Sequence, residues 1–180
     1  MRHTLIALVE DRPGAMNRVL GLLRGRGLLV HSIAAGDSET PGVKRTTVVV
    51  DTDNVDQTMK QLNRLIEVLE VTDVTNSQFV VRETALVKIH ATEPRRDEIK
   101  AVAEGFGARI IAGGPQSVVV EMTDTPARLG EMIARAMVFG TCETMRSGSL
   151  AMALGAAIPR EQPAPDDKGR PWWSQADGVS

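Results

Sequence analysis

The sequence predicts an α+β fold: two tandem ferredoxin-like βαββαβ units followed by a disordered C-terminal tail. Three observations predict it. Strand and helix patterns follow one another in the order βαββαβ, the same order then occurs again, and the last part of the chain loses all periodicity and becomes rich in Pro and charge. The predicted boundaries are a first domain at 1–76, a linker at 77–83, a second domain at 84–156 and the tail at 157–180.

The first unit begins with a β-rich segment and an amphipathic helix. In the helix, Ala15, Val19, Leu22 and Leu23 share one face, and Gly27 is a stop signal. A hairpin loop, GDSETPG, separates the next two strands, and Asp53 or Asn54 can cap the second helix. The predicted elements are strand His3–Val9, helix Gly14–Arg26, strands Leu28–Ala35 and Val43–Asp51, a helix ending near Ile66, and strand Val68–Thr75.

The second unit repeats this order. Its helices show apolar residues at helical spacing, such as Leu129, Ile133 and Met137, and the sequence GGPQ joins its two middle strands. The predicted elements are strand Ala85–Ala91, helix Glu93–Gly105, strands Ala108–Ala112 and Ser117–Met122, helix Pro126–Phe139 and strand Cys142–Ser147.

Composition excludes several classes of function. A formal net charge of −2 and an aromatic content of 3%, with no Tyr, argue against binding of nucleic acid. The single cysteine, Cys142, excludes a disulfide framework and a cysteine-based zinc site within this chain. The longest apolar run, Leu150–Ile158, is too short to span a membrane, and the apolar segment near the N-terminus is too short for a signal sequence. We therefore expect a cytoplasmic protein.

The first strand is apolar on both faces. Leu5, Ala7 and Val9 point one way, whereas Ile6 and Leu8 point the other. Because both helices of a βαββαβ unit cover the same face of the sheet, the other face needs a cover of its own. A second copy of the chain or a partner protein is expected there.

The strand-to-helix corner, EDRPGAMNRVL, is the candidate site. A helix that begins near Gly14 leaves its first N–H groups without intrahelical partners, and these groups favour an anion. Gly14 allows a ligand close to the backbone, and Pro13 lacks an N–H at a position where no N–H donor is needed. Asp11 can accept a hydrogen bond from an ammonium group. The corner therefore fits either an α-amino acid or an ordinary capped turn without a ligand, and the residues alone leave both readings open.

The remaining reactive residues form no catalytic or metal-binding pattern. His3 is expected at the edge of the first strand, His31 fits either the ligand site or strand packing, and His90 has no evident acid partner. No nucleophile–base pair or metal-ligand spacing occurs in the sequence. Three acids, Glu67, Glu70 and Asp73, are predicted to form a solvated surface, and Cys142 to be a small buried apolar group. In the tail, Trp172 and Trp173 fit either loose packing or a short partner-docking motif.

Several motifs resemble those of one family, the small regulatory subunits of acetolactate synthase, which contain an ACT domain. The first helix resembles R-x-x-G-L-x-x-x-R-G through Arg18, Gly21, Leu22, Arg26 and Gly27. Further resemblances are His31-Ser32-Ile33 in the next strand, Lys44-Arg45-Thr46-Thr47 to S-R-x-T, QLNRLIEVLEVTDV to Q-L-x-K-L-x-x-V-x-x-V, RETALVKIHA to R-E-x-x-L-I-K-V, and Met145-Arg146-Ser147-Gly148 to A-R-[ST]-G. The resemblance covers roughly residues 1 to 155.

The resemblance implies a non-catalytic subunit, with an N-terminal ACT domain that dimerises and a C-terminal ACT-like domain. Its partner would be the large catalytic subunit, which carries thiamine diphosphate and magnesium, with FAD left open. It would raise the activity of that subunit and confer inhibition by valine or another branched-chain amino acid. The amino acid would lie between two ACT domains, and the matching residues are Asp11, Pro13, Gly14, Ala15 and Met16 from one chain and Leu29, Val30, His31, Ser32 and Ile33 from the facing strand.

The sequence departs from the family's motifs at three places. Leu29 stands where Asn is common, Asp11 stands where Asn is frequent, and Leu154 stands where a basic residue is usual. The missing amide at Leu29 puts valine sensitivity in doubt. Two other hypotheses are a free-standing ACT-type amino-acid sensor that acts on another partner or on transcription, and a small enzyme of ferredoxin-like fold. The first would not need the resemblances in the second half, and the second would need an acid–base pair in a cleft.

Overall fold

The computed structural model describes residues 1–91, 93–140 and 142–155. These form two compact units, one made of residues 1–80 and the returning segment from Ala151, the other of Val81–Leu150. The predicted tail at 157–180, with Trp172 and Trp173, lies outside the described residues.

The first unit has the predicted βαββαβ order. Its four strands form one antiparallel sheet in the order β2-β3-β1-β4, so β1 is central and β2 and β4 are the edges. The elements are β1 Arg2–Glu10, α1 Ala15–Gly25, β2 Leu29–Asp37, β3 Val43–Asp51, α2 Val55–Leu62 and β4 Val68–Asp73.

The second unit repeats the pattern in a sheet of order β6-β7-β5-β8. Its elements are β5 Phe79–His90, α3 Glu93–Phe106, β6 Arg109–Gly114, β7 Ser117–Asp124, α4 Pro126–Met137 and β8 Cys142–Arg146. A further strand that the sequence did not predict, β9 Leu150–Ala153, also pairs with β5. The predicted tandem βαββαβ fold is thus confirmed.

The helix-covered face of the first sheet holds the core of its unit. Leu5, Val9 and Val50 from the sheet pack against Leu23 of α1 and Leu62 of α2, and all five are at most 1% exposed. The side chain of Asn54 caps α2 by accepting a hydrogen bond from the Gln57 N–H at 2.9 Å. This helix ends at Leu62 rather than near Ile66 because the chain turns there towards β4, which leaves Ile66 81% exposed.

The opposite face of the first sheet is covered by the chain itself. Ile6 clusters with Val74, Phe79 and Ala151, and the Ala151 N–H donates a hydrogen bond to Thr47 Oγ1 at 3.2 Å. As a result Ile6 is only 7% exposed. The inference that a second copy or a partner must cover this face therefore no longer follows, because Val74, Phe79 and Ala151 cover Ile6.

Strand β5 begins six residues before its predicted start, within the stretch 77–83 that the sequence suggested as a linker. The charged pair Arg82-Glu83 interrupts the apolar pattern and concealed this extension. In the structure the Glu83 side chain is buried, and Arg146 binds its two carboxylate oxygens at 3.0 and 2.6 Å. A carboxylate paired in this way can occupy a buried strand position.

Candidate functional site

The predicted corner connects the end of β1 to the start of α1. The Asp11 N–H donates to the carbonyl of Gly42 at 2.8 Å, which ties the corner to the β2–β3 hairpin. Gly14 then adopts the left-handed conformation, with φ of +84°, and precedes the first helical residue, Ala15. A glycine suits this position because other residues are strained there.

The start of α1 is open to a ligand. No side chain caps it, and the first N–H groups of a helix have no carbonyl partner within that helix. Its two chain neighbours aside, a Cβ placed on Gly14 would meet no atom within 4 Å in the part of the chain that the structure describes. Backbone donors, the helix dipole and free space together make this a suitable position for a carboxylate.

The two residues after Gly14 face inward rather than towards the opening. Ala15 is 2% exposed and belongs to the core. Met16 packs against the same core, and its Sδ lies 3.8 Å from Thr46 Oγ1. Ala15 therefore offers no side chain to a ligand at this corner, and its N–H already donates to the Arg12 carbonyl at 3.1 Å.

A lysine that sequence reasoning missed lies beside the corner. Lys44 Nζ is 2.5 Å from Asp37 Oδ1 and 3.4 Å from Asp11 Oδ2. The hydrogen bond to Asp37 raises the pKa of Lys44 above its ordinary value, with a further contribution from Asp11, so the amine stays charged. The predicted hairpin was the signal that could have found it, because Asp37 and Lys44 are opposite each other in the β2–β3 register.

Of the three acids predicted to form a solvated surface, Glu67 is buried and Asp73 is partly buried. Glu67 is 6% exposed and binds Arg18 of α1 at 2.8 Å. The Asp73 side chain is 14% exposed and accepts hydrogen bonds from Thr75, with His3 Nδ1 at 3.0 Å. Although burial raises the pKa of Asp73, these hydrogen bonds outweigh that effect and hold it below its ordinary value.

The predicted residues of the second strand start far from the corner of their own chain. Leu29 pairs with Asp51, which is also opposite Arg2 at the start of β1. The corner instead follows Glu10, at the other end of β1, where Asp37 pairs with Lys44. Since β2 has nine residues, Leu29 and Asp37 are about 26 Å apart along the strand. One chain therefore brings together residues 11–16, but not Leu29, Val30 or His31.

An irregularity in the pairing at His31 changes which face of the sheet the side chains of β2 point to. Because the register shifts between Val30 and Ser32, Val30 and Ile33 both pack against the helix-side core. His31 Nε2 lies 2.7 Å from Asp51 Oδ2, and this contact holds the pKa of Asp51 below its ordinary value. Leu29, by contrast, is 60% exposed.

Strand β2 also presents a free edge. Among the described strands it pairs with β3 alone. Before Asp37, its sequence LVHSIAAG has no residue that is always charged, whereas the other edge, β4, carries Glu70 and Asp73. Charges on an edge strand disfavour pairing with another strand. Strand β2 is therefore the edge of this sheet better suited to accept a partner strand.

Two cavities lie away from these residues. One of 420 Å³ is lined by Lys88, His90, Gln116, Ser117 and Glu143, and one of 220 Å³ opens between α1 and α2. Cys142 is partly buried, and burial raises the pKa of its thiol. In the described ranges no helix is long and apolar enough to cross a membrane.

Comparison with known proteins gives matches along both units. Residues 5–70 match the family described as AHAS small subunit-like ACT domain, and residues 82–155 match the family described as small subunit of acetolactate synthase. The acetolactate synthase small subunit of Bacillus subtilis is 37% identical over 158 residues, covering 86% of this chain and 92% of the relative. That of Mycolicibacterium smegmatis is 34% identical over 155 residues, covering 85% and 91%.

A solved structure agrees with these relatives. The crystal structure of the acetolactate synthase small subunit from Thermotoga maritima superimposes with a TM-score of 0.80 and 30% sequence identity. The superposition covers 87% of this chain and 99% of that chain. The likeness therefore extends over both units rather than over one domain.

Proposed function

Because the chain belongs to the family of acetolactate synthase small subunits, which makes it a regulatory subunit, we propose what it regulates and how. It binds the large catalytic subunit, raises its rate of acetolactate formation, and makes that rate sensitive to valine or another branched-chain amino acid. Thiamine diphosphate, magnesium and, where used, FAD belong to the catalytic partner. The compartment is the cytoplasm.

The uncapped, open start of α1 is the observation that carries this proposal. The N–H groups of Gly14 and Met16 lie where an amino-acid carboxylate can receive them, whereas the Ala15 N–H already donates to the Arg12 carbonyl at 3.1 Å. Gly14 leaves the approach clear. Asp11 is exposed, and its carboxylate, which Lys44 Nζ approaches to 3.4 Å, is proposed to receive the ammonium group. The opposite charges of the ligand thus find opposite partners within one short loop.

A second copy would complete the site from across β2. If two β2 strands pair antiparallel about a two-fold axis, the start of one strand comes to lie beside the end of the other. Leu29 of the second copy then lies near Asp37 and the corner, although within one chain it is at the far end of the strand. Its exposed side chain would bound the aliphatic part of the effector, whereas Met16 and Ile33 pack against the core of their own unit.

This arrangement explains how binding could change activity. A ligand held between two copies stabilises whichever arrangement of the two ACT domains closes on it. If that arrangement is the one in which the catalytic partner is less active, the ligand inhibits by population shift alone. The second unit is proposed to influence contact with the catalytic subunit.

The free-standing sensor shares the fold and the ligand site, so the corner does not distinguish the two hypotheses. The family match over residues 82–155 does, because a sensor without the catalytic partner would not need it. That match favours the regulatory subunit.

Two binding measurements test the proposal. The catalytic subunit from the same source should co-sediment with this protein in analytical ultracentrifugation, and calorimetry should detect valine binding to the protein alone. Ligand binding without co-sedimentation would favour the free-standing sensor. If neither co-sedimentation nor valine binding is observed, both hypotheses fail and only the fold remains supported.

A further inference from the structure

We propose that Lys44 sets the effector selectivity of this subunit, because its ammonium group occupies the place beside Asp11 that the ammonium of an amino acid would take. The inference rests on the proposed effector site at the corner. Lys44 would therefore compete with the ammonium group of the ligand for the Asp11 carboxylate.

The contacts of Lys44 support this role. Its Nζ lies between two carboxylates, 3.4 Å from Asp11 and 2.5 Å from Asp37, and its side chain is 31% exposed. Asp37 ends β2 and Asp11 follows β1, so the lysine joins the two segments beside the start of α1. It is a point charge on a long flexible stem, which can move aside when a ligand enters.

The other charged side chains around the corner have partners of their own. Glu10 binds Arg12 at 3.0 Å, Arg45 binds Glu39 at 3.0 Å, and Arg18 binds Glu67 at 2.8 Å. In each of these pairs one cation meets one carboxylate. Lys44 instead serves two carboxylates, so the group formed by Asp11, Asp37 and Lys44 has a net charge of −1.

This charge balance predicts how much the ammonium group and the carboxylate of a ligand each contribute to its affinity. An incoming ammonium must displace Lys44 from Asp11 or share that carboxylate with it, and in either case it gains little. The ligand's carboxylate, bound at the helix start, gains from the nearby positive charge. The native site should therefore discriminate weakly between valine and its deaminated analogue, 3-methylbutanoate.

Removing the lysine charge tests the proposal. Serine is the chosen replacement because it is small and stands at this position in the S-R-x-T motif. Calorimetric titration of the full chain with L-valine and with 3-methylbutanoate should show that Lys44→Ser binds valine about 3- to 10-fold more tightly. The same variant should bind 3-methylbutanoate no better than the native protein, and its gain for valine should shrink as salt is added.

Two control variants distinguish the effect of the Lys44 charge from the effect of altering a lysine side chain as such. Lys44→Arg keeps the positive charge and should retain the native ratio of the two affinities. Lys88→Ser removes a lysine from a comparable cross-strand pair, with Glu143 at 3.1 Å in the second unit, and should also leave that ratio unchanged.

An unchanged ratio in Lys44→Ser would overturn the inference, as would an absence of valine binding in both the native protein and this variant. The proposed function is read separately, from stimulation of acetolactate formation by the native protein. Stimulation with an unchanged ratio would reject the role of Lys44 alone, whereas no stimulation and no binding would reject both.

Discussion

Replacing Gly14 by Ala should cost stability modestly and effector binding severely. An L-residue in the left-handed region costs about 1–2 kcal/mol relative to glycine, and Gly14 has φ of +84°. Apart from the two neighbours in the chain, no atom of the described residues lies within 4 Å of the new Cβ, so no steric term adds to this cost. The new methyl group would instead stand over the helix start where the effector carboxylate is proposed to bind.

Gly27 provides a matched control at the other end of the same helix. Its φ is +67°, and a Cβ added there also meets nothing within 4 Å. Gly27→Ala should therefore lose a similar 1–2 kcal/mol, and both variants should melt about 2–4 °C lower for each kcal/mol lost. Thermal unfolding followed by circular dichroism gives this comparison.

Only the Gly14 variant should lose the ligand. Loss of one hydrogen bond to a charged group corresponds to about 1.5–3 kcal/mol, or roughly a 10- to 100-fold weaker affinity for valine. Calorimetry on both variants, below their melting temperatures, measures this directly. If Gly14→Ala binds valine as tightly as Gly27→Ala, the carboxylate does not bind at the start of α1 and the account of the corner is wrong.

Three further predictions follow from the same structure. Leu29→Asn should strengthen valine binding by about 1–3 kcal/mol if an amide there meets a buried polar group of the effector, and an unchanged calorimetric affinity would refute that reading of Leu29. Asp73→Asn should flatten the acid dependence of urea unfolding. The pKa of Asp73 is held below its ordinary value of 3.8, so its contribution is present above that pH and is lost as the pH falls through the lowered value; equal slopes for both proteins would contradict this. Ala35→Lys adds a charge to exposed edge strand β2 and should shift a dimer towards monomer in sedimentation, whereas an unchanged sedimentation coefficient would exclude pairing along β2.

Local patterns predicted most of the elements well. Helix α1 was predicted at Gly14–Arg26 and is found at Ala15–Gly25, because its apolar face and its flanking glycines are all local signals. Strand β9 was missed because four residues of an apolar run form a strand only through pairing with β5, and the start of β5 was misplaced because Glu83 is neutralised by Arg146, 63 positions away. Such long-range partners are not visible in a local pattern.

Part of the candidate site could likewise be predicted from the local sequence, and part could not. The corner at Asp11–Met16 was predicted from local chemistry, because a helix start, a glycine and an acid lie together in the sequence. The pairing of Lys44 with Asp11 depends on how the β2–β3 hairpin meets the end of β1. The burial of Glu67 depends on Arg18, which lies on another element. Both need the tertiary structure.

The most direct test of the central claim is the rate of acetolactate formation by the catalytic subunit from the same source. It should be measured alone, with this protein, and with this protein and valine. The account predicts that the protein raises the rate and that a branched-chain amino acid lowers it again. A rise that no branched-chain amino acid reverses would contradict the effector site, and no rise at all would contradict the regulatory role itself.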